Sequence, residues 1–272
     1  MRRTTLCVGS ALIGLISLTA SSPVQACGYG VPSPLARFTA AEWVVVGKIT
    51  TYEVKDVAAL PAPGATVKQD YAVAVLEITN AIKGADGMTH LRIGLPPSQI
   101  LPVGQEACYF LNPHFEEPFC VMPGRFGFPI LKDGNAGFSK EIQQYERWGQ
   151  LLKAPVEGLE SQDADERFLT AALLVTEFRT YRAGVHAPNR KTEPVDAALS
   201  KLILQTLAEA DWSKATLDNT VTAQRLFAQL NPSIKDGWNP QNLAGAKDVE
   251  TASKRWLTDN AGTFRVETFV RN

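Results

Sequence analysis

An excess of charge of either sign is missing from this sequence: 27 Lys and Arg stand against 28 Asp and Glu. That balance removes the electrostatic footprint of a nucleic-acid binder or of a protein held on an anionic membrane. Histidine is scarce, with only His90, His114 and His186, and cysteine is limited to four residues with no CxxC pair. A zinc site built on thiols and imidazoles therefore has too few donors at usable spacing. No GxSxG, HExxH, P-loop or GxGxxG run occurs, so no nucleophile elbow, metalloprotease helix or phosphate cradle can be read from the chain. After the first few tens of residues no apolar stretch approaches the roughly 20 residues that a membrane span needs.

What is present begins with an export signal. Arg2 and Arg3 precede an apolar run through Ala11, Leu12, Ile13, Leu15, Ile16 and Leu18, followed by Ser21, Ser22, Pro23 and Val24-Gln25-Ala26. Positive charge, a short apolar core and a small residue at the end are the order of a secretory signal covering residues 1–26. Cleavage after Ala26 makes Cys27 the first mature residue and places the folded protein outside the cytoplasm. A thiol at that place also suits bacterial lipid attachment, although the bulky Gln25 fits such a site poorly. A lipid anchor at Cys27 therefore stays open beside a free or a disulfide-bonded thiol.

In an oxidising compartment Cys108 and Cys120 form the natural disulfide, because they flank a Pro- and Glu-containing turn at 111–118 and would lie across a hairpin. The first half of the mature chain reads as short strands. Segments 42–52 and 71–78 are rich in β-branched and aromatic residues, Leu91, Ile93 and Leu95 alternate, and 103–111 with 119–122 complete a cysteine-bearing hairpin. Five such strands separated by turn signals suit a small barrel. The period then changes. Ile142, Tyr145, Trp148 and Leu152 recur at helical spacing after Ser139, a candidate N-cap, and before Pro155, a candidate stop. Asp163 and Glu166 resemble a capping box ahead of Phe168, Ala171, Val175 and Phe178. Pro194 suits the first turn of a helix through Leu199 and Leu202, two more helices are expected over 220–230 and 248–260, and 263–270 alternates as a terminal strand. The fold class is thus α+β: a signal at 1–26, a five-stranded OB-like β-barrel at 27–157 and an α-helical domain at 158–272.

The early mature sequence also carries a resemblance. Cys27-Gly28-Tyr29-Gly30-Val31-Pro32, then Ala41-Glu42-Trp43 and Val44-Val45-Val46-Gly47-Lys48-Ile49, with Ile82-Lys83-Gly84 and Val103-Gly104 leading to Tyr109-Phe110-Leu111, resemble the netrin-like module. That module is the OB-fold domain of the tissue inhibitors of metalloproteinases. The resemblance spans about residues 27–153 and none of the helical half. It implies that Cys27 could present its α-amine and carbonyl to a protease zinc, with the next residue entering the specificity pocket. Here that residue is Gly28, which has no side chain to insert, and the family's second nearby cysteine is replaced by Tyr29. An edge with fewer covalent pins is less preorganised for binding.

Other candidate chemistry is thin. His114 with Glu116 and Glu117 could hold a metal or a proton, but a solvated hairpin tip is the favoured reading. Phe126, Phe128, Tyr145 and Trp148 could line a groove, yet are better read as packing a helix on the barrel. Arg179, Arg182, Arg190 and Lys191 read as a hydrated face. The sequence points to an exported, non-catalytic protein that recognises a protein or small ligand, without cofactor or metal. A metalloprotease inhibitor acting through Cys27 and Gly28, and an envelope enzyme with an interdomain site, are the alternatives.

Overall fold

Ser33 caps the first helix, its hydroxyl accepting the Ala36 N–H at 3.3 Å, and Pro34 follows at a position where a missing N–H costs nothing. This helix, α1 (Pro34–Ala40), delivers the chain at Ala41 to β1 (Trp43–Tyr52). There follow β2 (Val57–Ala59), β3 (Gln69–Lys83), β4 (His90–Leu95), β5 (Glu106–Pro113), β6 (Cys120–Val121) and β7 (Ile130–Leu131). The computed structural model describes residues 33–123, 128–180, 191–216, 221–239 and 245–270.

Five of these strands make a ring-like sheet. β1 pairs antiparallel with β3 and β3 with β4; β4 pairs parallel with β6; β6 and then β5 lead back to β1. The long β3 makes the turn possible, since its first half serves β4 (Ala72 to Glu77) and its second half reaches Lys83 along β1. Register shifts between β1 and β3 add the local bend that a curving sheet requires. β2 lies on the outer start of β3 and β7 on β5.

Side chains alternate between two cores. Val45, Ile49, Leu76, Ile93, Leu95, Tyr109 and Leu111 fill the inside of the ring. Val44, Val46, Ile82, Cys108 and Phe110 point the other way and join a larger core shared with the helices. Both faces of β1 and β5 are covered, which is why their sequences read as nearly continuous apolar runs.

The helical half comprises α2 (Phe138–Lys153), α3 (Pro155–Leu159), α4 (Ala164–Arg179), α5 (Ala197–Glu209), α6 (Ala223–Leu230) and α7 (Ala246–Asn260). Two small antiparallel pairs accompany them: β8 (Thr192–Pro194) with β11 (Glu267–Phe269), and β9 (Ala215–Thr216) with β10 (Val221–Thr222). α4 is central, with Thr170 to Val175 all buried and α1, α2, α3, α5 and α6 packed around it. α2 is the joint to the sheet. Its Tyr145 stacks on Phe38 (5.8 Å between ring centres) and meets Phe110 edge-on at 5.4 Å. Gly149 brings the α2 backbone against β3, where a Cβ would lie 2.3 Å from the Ile82 carbonyl oxygen. The boundary expected at 157–158 falls within α3, and the buried core runs across it.

Several local expectations need correction. α2 begins at Phe138 with Gly137 as its cap, so Ser139 lies inside the helix. Asp163 does cap α4, but Glu166 turns to Ser161 and Arg147 instead of reaching back to close the box. Pro194 belongs to β8, and Asp196 starts α5 by accepting the Ala198 and Leu199 N–H groups at 2.8 and 3.0 Å. Among the described residues no helix is long and apolar enough to cross a membrane.

Candidate functional site

The ring of strands is thinnest at β6, which touches β4 at only two positions, Ile93 opposite Cys120 and Gly94 opposite Val121. Where β6 stops short, a cleft of about 350 Å³ opens, lined by Trp43, His90, Leu91, Arg92, Pro113, Glu117, Pro118, Phe119 and Cys120. Each wall has a local cause. Trp43 opens β1 and packs on the inside core together with Leu91, giving the cleft an apolar side. β4 supplies His90 and Arg92, which by strand alternation face outward while Leu91 faces in. The opposite wall is the 113–119 turn between β5 and β6.

That turn is built around His114. The ring is buried, 6% exposed, and its Nδ1 accepts two main-chain N–H groups, from Glu116 at 3.2 Å and Glu117 at 3.1 Å. With Nδ1 so occupied the proton sits on Nε2, which donates to the Leu60 carbonyl at 2.9 Å. Phe115 stacks on the imidazole at 4.7 Å, and Phe119 and Tyr71 flank it. The expected solvated tip is therefore incorrect at His114: the ring is a buried strut whose two nitrogens are spent on the backbone. Sequence alone misses this because the ring's partners include Leu60, in a distant loop.

Arg92 crosses the cleft mouth. Its guanidinium makes a two-pronged pair with Glu53 (2.7 and 3.0 Å) and donates to the Pro118 carbonyl at 3.0 Å. The pairing holds the Glu53 carboxyl below the usual carboxylate range and raises Arg92 in turn. Arg92 thus pins the turn to β4 and is not a loose cation waiting for an anion. His90 is exposed, its Nδ1 3.0 Å from the Thr89 hydroxyl.

The cysteine expectation is overturned. Cys108 and Cys120 are both free thiols and both buried. Cys120 faces Pro113 across the hairpin, which puts it about 17 Å along β5 from Cys108 at the rise of an extended strand, far beyond disulfide reach. They also point into different cores, Cys108 toward the helices and Cys120 into the ring. Burial pushes the Cys120 thiol up to about 12 and raises Cys108 as well, so neither is a thiolate nucleophile.

Among the described residues, the most buried ionic contact lies elsewhere. Lys83 Nζ is 2.8 Å from a Glu177 carboxylate oxygen and donates to the Phe38 and Ala41 carbonyls at 2.9 and 2.8 Å. Those bonds use all three ammonium hydrogens, and the two carbonyls sit at the C-terminal end of α1, where a cation is favoured. Asn112 completes the fastening, accepting the Glu42 N–H at 2.7 Å and donating to the Ala40 carbonyl at 3.1 Å. Gly84 follows with φ of 73°, and a Cβ there would lie 2.4 Å from the Glu42 carbonyl oxygen.

Of the aromatic residues weighed as a groove, Tyr145 and Trp148 are buried in the shared core and Phe128 is 63% exposed, while Phe126 lies outside the described residues. Arg179 packs near Phe269; Arg182, Arg190 and His186 lie outside the described residues. Cys27 and Gly28, which carry the inhibitor reading and the lipid anchor, lie outside them too. Among the described residues no three His, Cys, Asp or Glu side chains gather as metal ligands. No known family model matches the chain, and no curated protein does either.

Proposed function

We propose that this is an exported, non-catalytic recognition protein whose OB-like, netrin-like ring of strands binds its ligand in the cleft beside β4 and β6, with the helical half as a rigid backing. The observation that carries the reading is the cleft itself: an apolar side of Trp43 and Leu91 opening where the strand ring is least covered. The OB-like assignment draws support from the strand order, with the fourth and fifth ring strands crossing so that β4 and β6 run parallel. Against an enzyme, Arg92 in the cleft and His114 in the adjoining turn are both engaged in holding the structure: Arg92 by Glu53 and Pro118, His114 by the backbone of its own turn. A binding module needs such rigidity more than it needs a perturbed acid or base.

Amide and indole shift mapping on the mature chain tests this, using a library of small-molecule fragments and short peptides. The expected outcome is a contiguous set of perturbed signals from the Trp43 indole, His90, Arg92 and 117–120. Perturbations clustered between the helices, or none, would remove the cleft as the binding site. The same preparation, made by secretion, is expected to have an intact mass beginning at Cys27, with or without a lipid.

A further inference from the structure

We propose that the cleft takes an extended peptide, bound by its main chain along the uncovered edge of β4. This inference rests on the recognition reading above and adds the chemical class of the ligand. The Ile78 N–H donates to the Thr89 carbonyl at 2.8 Å. In an antiparallel ladder, main-chain groups alternate sides residue by residue. Thr89, Leu91 and Ile93 therefore spend theirs on β3, while His90, Arg92 and Gly94 turn theirs to the other edge. β6 covers that edge only alongside Ile93 and Gly94, so the N–H and C=O of His90 face the cleft with no strand opposite among the described residues.

A bare strand edge of this kind is a template for another chain. At His90 the edge carries neither a lysine nor a proline, and the charged side chain that crosses the mouth, Arg92, is tied back to Glu53 and Pro118. On the opposite wall Pro113 and Pro118 have no N–H. The Glu117 and Phe119 N–H groups go to His114 Nδ1 and the Glu117 carbonyl, and the Pro118 and Phe119 carbonyls accept from Arg92 and the His114 N–H. That wall spends these main-chain groups within the fold, while those of His90 face the cleft from the β4 side. An incoming strand then finds hydrogen-bonding partners along His90 and an apolar recess between Trp43 and Leu91 for one of its side chains. This is strand addition, in which backbone bonds supply affinity and a pocket supplies selectivity. A small rigid ligand would use the recess but not the edge.

The test uses the full mature chain against an immobilised array of random peptides of about ten residues, with two variants. His90→Ala keeps the main-chain N–H. His90→Pro removes it at the first residue of β4, where proline is tolerated and where the lost N–H faces away from β3. Wild type and His90→Ala are expected to select the same peptides, and His90→Pro to bind them roughly tenfold or more weakly than His90→Ala, which lacks the same side chain but keeps the N–H. N-methylation of a selected peptide at alternate amides is expected to abolish binding in one phase and spare it in the other, because only every second amide meets β4. This second measurement decides the matter if His90→Pro does not fold. Absence of any selected peptide, equal binding by His90→Pro, or indifference to N-methylation overturns the proposal. If fragments still perturb Trp43 and Leu91 in that case, the cleft remains a ligand site and only the peptide is excluded; if they do not, both readings fail.

Discussion

Lys83 sits at the meeting point of a strand end, a helix end and the central helix, and its chemistry suits each. Its ammonium is 5.0 Å from the Phe38 ring centre, as well as bonded to Glu177 and two carbonyls. Breaking a buried, hydrogen-bonded ion pair by removing one of its members costs about 3–5 kcal/mol. Lys83→Met is therefore expected to lower the chemical-denaturation free energy by about that amount. The double variant Lys83→Met with Glu177→Leu is expected to recover a good part of it, since two apolar groups need no counter-charge. A Lys83→Met chain as stable as wild type would mean that the contact is ornamental. In the sequence, Lys83-Gly84 stands out only as a turn between strands. That Gly84 must be glycine follows from its positive φ, but the partner Glu177 lies 94 positions away, and nothing local announces it. His114 shows the same limit: a histidine beside two glutamates reads as surface chemistry until its nitrogens are seen engaged by backbone.

Elements with a strong period were readable, and those fixed by long-range pairing were not. β1, β4 and β5 alternate or run apolar over lengths that only a strand explains, and α2 and α7 carry helical spacing, whereas α4 is buried all round through Thr170–Val175 and is marked in the sequence by the Asp163 cap. The three-residue β2 and the two-residue β7 have no period to detect; they exist because β3 and β5 offer edges. The start of α5, expected at Pro194, is set instead by the capping chemistry of Asp196. The Asp196 carboxylate accepts N–H bonds from Leu199 and Ala198, chiefly the former, and these hold its pKa below the ordinary 3.8. A carboxyl depressed in the folded state contributes stability that is complete above its unfolded pKa and is lost as pH falls through the folded value. The first turn of α5 is thus expected to show faster amide exchange, after correction for intrinsic rates, once pH drops below about 3.8. Asp196→Asn keeps the cap without a titrating group and should flatten that response. An identical pH profile in both chains would show that the cap does not couple to the helix.

At the scale of the molecule, the change from strand period to helical period near residue 138 is plain in the sequence, and it suggests two bodies in series. What the sequence leaves out is which faces the two halves present to each other. Val44, Val46, Cys108 and Phe110 turn out of the ring into the same core as Tyr145, Trp148, Leu173 and Leu257. Had the halves been separate, those strand positions would have been solvated and polar, as on one side of most antiparallel sheets; the triple valine at 44–46 is the trace of that burial in the sequence. A core shared in this way couples the two halves energetically, because neither can open without exposing the other's apolar face. The five tryptophans are placed to test it. Trp43 reports the ring, Trp148 the joint, and Trp256, within 5.7 Å of Phe227 and 5.0 Å of Phe264, the helical cluster. With fluorine-labelled tryptophan, the urea transitions of all three are expected to coincide. Leu173→Ala, a cavity at the centre of α4 worth about 2–5 kcal/mol, is expected to shift the Trp43 and Trp256 midpoints by the same amount. Separate midpoints, or a shift confined to Trp256, would mean that the sheet and the helices are two domains resting against one another, and that the helical half is not part of the frame that holds the cleft.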